Sequence, residues 1–183
     1  MIELRVAAKI NLYLDITGKT ENGYHTLDSL MQSVSIFDHV RISRTEEGVC
    51  SNDPSDVSGT VERTCTGFLA ETGIRSGVYV DIAKTIPVAS GMGGSSADSA
   101  AVLIGLNELF SNPLSERDLI SLGSTLGADI PFMMLGGSAR CRGIGDVLSP
   151  FENRTDPFYL GVRSDGFITS AAAYEAFDAS SPV

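Results

Sequence analysis

Pro87-Val88-Ala89-Ser90-Gly91-Met92-Gly93-Gly94-Ser95-Ser96-Ala97 runs without a break into Asp98-Ser99-Ala100-Ala101-Val102-Leu103-Ile104-Gly105-Leu106-Asn107-Glu108-Leu109-Phe110. The second stretch is a strong helix pattern ending near Phe110, and Val78–Lys84 before the first reads as a strand. Three glycines and three serines therefore link a strand to the start of a long helix. Glycine lets the backbone approach an anion closely. The first amides of the helix have no internal acceptor, and its dipole places roughly half a positive charge there. Such a turn is a phosphate site, with Ser95 or Ser96 offering a hydroxyl to phosphate or to magnesium. It is not a Walker A loop, and the third glycine of a GxGxxG pattern falls on Ser96. A tight connection in which Ser90 or Ser95 merely caps the helix uses the same residues.

Upstream, residues 2–8 and 12–17 read as strands separated by Lys9-Ile10-Asn11, and Asn22-Gly23 marks a turn. Residues 28–37 fit helix or strand, 39–43 a strand, 45–59 a surface loop and 60–72 a weak helix. Downstream, Ser115-Glu116-Arg117-Asp118 resembles a capping box opening a helix to about Leu126. Pro131 suits the start of another helix, and Gly136, Gly137, Gly143 and Gly145 punctuate a hairpin. Residues 158–163 suggest a strand and 169–178 a helix. Strands and helices mixed in this order predict an α+β domain.

Thirteen basic against 23 acidic residues give a net charge of −10, which repels nucleic-acid backbones. Cys50, Cys65 and Cys141 are scattered and odd in number, and only two histidines occur, so neither a disulfide framework nor a metal cluster is expected. No apolar run approaches the roughly 18 residues that span a bilayer, and no secretory leader is read at the N-terminus. A cytoplasmic protein with no nucleic-acid or membrane partner is the expectation.

Three separated motifs then resemble one family. Pro87-x3-Gly91-Met92-Gly93-Gly94-Ser95-Ser96-Ala97 resembles the second motif of the GHMP kinases. Ala8-Lys9-Ile10-Asn11-Leu12, Thr17-Gly18 with Asn22-Gly23-Tyr24-His25-Thr26-Leu27, and Leu126-Gly127-Ala128-Asp129-Ile130-Pro131-Phe132 are similar to those members acting on a CDP-linked alcohol. The resemblance spans essentially the whole chain. It implies a GHMP kinase N-terminal domain (ribosomal protein S5 domain 2-like), with a mixed or antiparallel sheet packed on helices. It implies ATP and Mg2+ as cofactors and phosphorylation of the 2-hydroxyl of a CDP-linked methylerythritol, in the non-mevalonate route to isoprenoid precursors. Lys9 and Asp129 map to the family's catalytic lysine and aspartate, and Pro87 to Ala97 to its nucleotide loop. Asn11 and His25 map to its cytidine site, Tyr24 to a stacking ring, and Ser170 and Tyr174 to the same pocket. Taken singly, Lys9 reads as a snorkelling strand-end lysine, Asp129 as a cap, His25 as a solvated turn residue, Tyr24 and Tyr174 as packing rings and Ser170 as a cap.

The sequence also departs from the pattern. Ser95 stands where the family has a further glycine, and Ala97 separates the serines from Asp98. Gly59-Thr60-Val61-Glu62-Arg63 replaces the stretch that supplies an adenine-side asparagine. The family's third glycine-rich motif does not follow before Val183. Residues 1–160 are accordingly read as the N-terminal catalytic domain and 161–183 as the start of a C-terminal domain otherwise absent. Weak activity of the chain alone and self-association through the surface left by that missing domain are expected. Another GHMP small-molecule kinase, or a truncated non-catalytic nucleotide-binding module, is the alternative reading.

Overall fold

A computed structural model describes residues 1–52, 59–152, 157–161 and 168–180. The chain opens with two long strands, β1 (Ile2–Lys19) and β2 (His25–Thr45). They pair antiparallel from Ile2↔Ile42 to Lys19↔His25. The turn between them closes where Gly23 N–H donates to the Thr20 carbonyl at 2.9 Å. Lys9-Ile10-Asn11 does not break the strand as expected. Register shifts at Ala7/Ala8, Asn11/Tyr13 and Ile16/Gly18 absorb the irregularity as bulges, and polar partners satisfy the Lys9 and Asn11 side chains. The ambiguous 28–37 stretch is strand because both its edges are paired in part, to β1 and to β5.

The short β3 (Val49–Ser51) lies inside the stretch expected as loop and pairs parallel with β4 (Gly77–Ala83). Between them runs α1 (Thr60–Thr72). β4 leads through the glycine loop into α2 (Gly94–Leu109). Next come α3 (Glu116–Leu126), α4 (Ile130–Leu135), the hairpin β5 (Ser138–Gly143) and β6 (Val147–Pro150), and finally α5 (Ser170–Ser180). The sheet order is β3-β4-β2-β5-β6, with β1 on the other side of β2. One parallel pair among antiparallel ones makes the sheet mixed. Residues 158–161 form no strand, and 162–163 lie outside the described residues.

The core lies where α2 crosses β1 and β2. Val40 and Ile42 on β2, and Val78, Val80 and Ile82 on β4, alternate inward with the strand period. They meet Val102, Leu103 and Leu106 of α2 and Phe68 of α1, all buried. Truncating Leu103 or Leu106 to alanine costs about 2–5 kcal/mol by the usual core-cavity penalty. α2 is apolar around most of its surface because it is covered on several sides. Gly105 lets it lie this low: a Cβ there would stand 2.4 Å from Ile42 Cδ1 and 3.0 Å from Leu4 Cδ1. The capping prediction at Ser115 holds, its hydroxyl accepting from Asp118 N–H at 3.2 Å.

Candidate active site

The bulged centre of β1 carries Lys9, almost fully buried. Its ammonium donates to Asn11 Oδ1 at 2.7 Å. Asn11 Nδ2 in turn donates to Ser29 Oγ at 2.7 Å, and Ser29 Oγ to the Tyr13 carbonyl at 2.6 Å. The same ammonium stands 3.5 Å from Asp129 Oδ2, with side-chain exposures of 9% for Lys9 and 30% for Asp129. A desolvated lysine facing a half-open carboxylate is not a snorkelling surface lysine. Asp129 occupies the N-cap position of α4, yet its side chain makes no capping hydrogen bond. The carboxylate is free to face Lys9.

The glycine loop reaches the same place. Lys9 N–H donates to the Met92 carbonyl at 3.0 Å. Gly93 has φ 73°, and a Cβ on it would stand 3.2 Å from Lys9 Cγ and 2.2 Å from Met133 Cε. Only glycine fits there comfortably, so the loop backbone rests on the Lys9 stem. A Cβ on Gly127, in the turn before Asp129, would lie 4.0 Å from Ser96 Oγ. Three segments far apart in sequence thus converge around Lys9.

The loop itself suits an anion. α2 begins at Gly94 with Gly93 as N-cap and no side-chain cap, so its first amides stay open. The alternative in which Ser90 or Ser95 caps the helix is not what forms. Ser90 Oγ instead donates to the Pro87 carbonyl at 2.7 Å and accepts from Met92 N–H at 3.3 Å, bracing the loop internally. Ser95 is exposed and Ser96 half-buried. Ala89, at φ 55°, holds a left-handed backbone that a residue with a Cβ rarely adopts.

The substrate-side residues Asn11 and His25 lie along the β1–β2 ladder. Asn11 lies with Lys9, whereas His25 pairs with Lys19 at the far end of the ladder. The His25 ring stacks on Tyr174 of α5, with centroids 4.5 Å apart and planes 10° from parallel. Its Nε2 lies 2.8 Å from Asp178 Oδ1, while Lys19 Nζ donates to Asp178 Oδ2 at 2.6 Å. The hydrogen bond from Lys19, and then that with His25, hold the Asp178 carboxyl below the usual range. Burial, then the Asp129 carboxylate, pushes the Tyr174 phenol up. Tyr24 is exposed at the turn. The Ser170 side chain lies outside the described residues.

One group of charged residues was not singled out from the sequence. Lys84, just after β4, donates to Asp38 Oδ2 at 2.6 Å and to Asp98 Oδ2 at 2.5 Å. Each residue alone resembles ordinary surface charge, and 46 positions separate Asp38 from Lys84. The one local signal was Asp98 itself, an acid inside an otherwise apolar helix pattern. Among the described residues no three His, Cys, Asp or Glu side chains group as a metal site. The Ser95 and Ser96 hydroxyls stand in the first turn of α2, Ser95 exposed and Ser96 half-buried.

Comparison with known proteins bears on the fold and the family. Residues 59–137 match the family model of the GHMP kinases N terminal domain. The chain carries that domain, and its fold is that of the GHMP kinases. A curated relative from Desulfitobacterium hafniense (strain Y51) is 40% identical over 179 residues, covering 97% of this chain and 62% of its own length. A second, from Clostridium kluyveri, is 37% identical over 182 residues, covering 97% of this chain and 65% of its own. Both are named 4-diphosphocytidyl-2-C-methyl-D-erythritol kinase, the group within the family to which the resemblance of this chain narrows. The crystal structure of a 4-(cytidine 5'-diphospho)-2C-methyl-D-erythritol kinase superposes with TM-score 0.72 at 34% identity, over 82% of this chain and 55% of that one. Mevalonate kinase from Methanococcus jannaschii shares the fold at TM-score 0.62 and 13% identity, over 83% of this chain and 56% of its own. The chain thus spans somewhat under two thirds of the length of these two curated relatives. Among the described residues no helix is long and apolar enough to cross a membrane.

Proposed function

We propose that this chain carries the phosphate-donor and catalytic region of a cytoplasmic kinase for 4-diphosphocytidyl-2-C-methyl-D-erythritol. The reaction is transfer of the γ-phosphoryl group of ATP to the 2-hydroxyl of that alcohol, within non-mevalonate isoprenoid precursor synthesis. The observation that carries the reading is the Lys9–Asp129 pair, 3.5 Å apart against the glycine loop.

The alcohol oxygen attacks the γ-phosphorus, the bond from that phosphorus to the bridging β-γ oxygen breaks, and ADP leaves with the electron pair. The alcohol's proton passes to the Asp129 carboxylate. Lys9 keeps that carboxylate ionised before transfer and neutralises charge on the phosphoryl oxygens during it. Asn11 holds the Lys9 ammonium in place through its Oδ1. The loop from Pro87 to Ala97, with Val88, Ala89, Gly91 and Met92 shaping its backbone, presents the α2 amides to the phosphates. Magnesium supplies charge neutralisation on the β- and γ-phosphates when it binds with the nucleotide, and Ser95 or Ser96 would be its protein ligand.

The nucleoside end belongs at the hairpin turn, where His25 stacks on Tyr174 and Tyr24, next in sequence, is exposed. An aromatic stack already exists there for a pyrimidine to extend or replace. Burial and then the Asp129 carboxylate push up the phenol of Tyr174, which stacks on His25, so the base end and the reacting end belong to one site. Ser170 belongs with this end by resemblance.

The test is substrate competition. With ATP and magnesium, ADP release should require the CDP-linked alcohol and be inhibited by CMP but not by homoserine. Turnover of homoserine or mevalonate, with no effect of CMP, would assign the site to a different small-molecule kinase.

A further inference from the structure

Building on the reading of the glycine loop as the phosphate-donor site, we propose that Asp38, Lys84 and Asp98 form a buried positioning clamp. It holds both ends of the loop and so aims the first amides of α2 at the nucleotide.

The entry is fixed by Asp38. On its far side β2 pairs with β4 only over residues 39–45, and with β5 over residues 27–32. Asp38 therefore sits at the fork where those two partners diverge, just past the last rung, His39↔Ala83. There its Oδ1 accepts Thr85 N–H at 2.5 Å and Ile86 N–H at 2.8 Å. The carboxylate replaces the strand that would otherwise receive those amides, and the chain turns into the loop at that point.

The exit is fixed by Lys84. Its ammonium spans from Asp38 Oδ2 to Asp98 Oδ2, and Asp98 lies on the second turn of α2. Side-chain exposure is 0% for Asp38, 1% for Asp98 and 18% for Lys84. A Cβ on Gly94 would lie 3.3 Å from Lys84 Nζ, so the ammonium runs beside the first residue of the helix. One lysine thus joins the residues before the loop to the helix after it.

Three further observations support a role for the clamp beyond filling the core. A lysine beside a helix N-terminus is electrostatically misplaced unless carboxylates surround it, and two do. Asp98 Oδ1 has no hydrogen-bond partner among the described residues despite its burial, so the fold tolerates an orphaned oxygen to keep the other on Lys84. Ala89 also sits in a left-handed conformation, which persists only where the surroundings over-determine it. Its loop is held at entry by Asp38, midway by the Met92 carbonyl on Lys9 N–H, and at exit by Asp98.

The experiment is titration of Mg·ATP and, separately, of CMP against the full chain and its Asp38→Asn and Asp98→Asn variants. Amide hydrogen exchange is followed over residues 87–94. The clamp predicts about tenfold weaker Mg·ATP binding in each variant, unchanged CMP binding and faster exchange confined to the loop. Asp98→Asn keeps the side-chain shape and the Asp38–Lys84 contact, so it decides the matter if Asp38→Asn fails to fold. Equal Mg·ATP affinity in the folded variants overturns the clamp and leaves the loop reading intact. Parallel losses for Mg·ATP and CMP overturn it in favour of a general structural role. Absence of Mg·ATP binding by the unaltered chain overturns the loop reading, and the clamp falls with it.

Discussion

Lys9 Nζ stands 3.5 Å from Asp129 Oδ2, with the lysine 9% and the aspartate 30% exposed at the side chain. The pair joins the first strand to a helix start 120 residues later in the chain, at the place where the Gly93 backbone rests on the lysine stem. A purely structural ion pair has no need of a glycine loop against it.

Replacing Lys9 by methionine keeps the stem and removes the ammonium. The variant should fold, because Asp129 stays partly solvated and the apolar stem still packs against Gly93. Phosphoryl transfer should fall by about 100- to 1,000-fold, the usual loss when one charge-stabilising group is removed. Steady-state ADP formation measures this, alongside a thermal melt. Activity within a factor of about two of the unaltered chain would exclude Lys9 from the chemistry.

Asp98 carries a pH dependence. Its burial pushes its pKa up to about 7 against the ordinary 3.8, even with Lys84 beside it. The folded state thus binds this proton more tightly than the unfolded state does. The resulting stabilisation is complete below the unfolded value and is lost as pH rises through the folded one. The unaltered chain should lose melting temperature relative to Asp98→Asn between pH 5 and pH 8. A difference that stays flat across that range would show that Asp98 titrates normally.

Asp178 works with the opposite sign. Lys19 first and His25 second hold its carboxyl below the ordinary 3.8, so the contact it makes is present at neutral pH and is lost only as acid reaches that region. Asp178→Asn should loosen α5 from the hairpin at pH 7. Amide exchange over residues 172–180 should quicken while the exchange of α2 is unchanged. Equal protection of α5 in both proteins would show that the Tyr174–His25 stack suffices to dock it.

The three cysteines should separate by burial. Cys50 is exposed, whereas burial pushes the Cys65 thiol up to about 12 and the Cys141 thiol up to about 11. A thiol reagent at pH 8 should label one cysteine per folded chain quickly and all three after denaturation. Rapid labelling of more than one in the folded chain would contradict the burial of the other two.

Much of this was legible in the sequence where the signal is local. The glycine loop, its strand and its helix follow from 78–110 read alone. So do the Ser115 cap, the Pro131 helix start and the hairpin punctuated by Gly136 to Gly145. What was not legible depends on contacts between distant residues. Lys9-Ile10-Asn11 reads as a break until Asn11 is seen bonded to Lys9 and Ser29, which lets one strand run through it. Asp38, Lys84 and Asp98 carry no local sign of their alliance, because a buried charge is recognised only by its partner. Asn11 and His25 were grouped by resemblance, while the stack of His25 on Tyr174 and its contact with Asp178 depend on α5 docking against the hairpin, which no local signal announces. β3 is too short to stand out from the polar stretch around it.

The most direct test of the Lys9–Asp129 centre is ADP release from ATP and magnesium with the CDP-linked alcohol, measured for the unaltered chain and for Asp129→Asn. Asparagine keeps the shape and cannot take the alcohol's proton, so turnover should drop by about 100- to 10,000-fold while Mg·ATP binding persists. Equal ADP release by the two proteins, dependent on the alcohol in both, would contradict Asp129 as the base and with it the central assignment of the site.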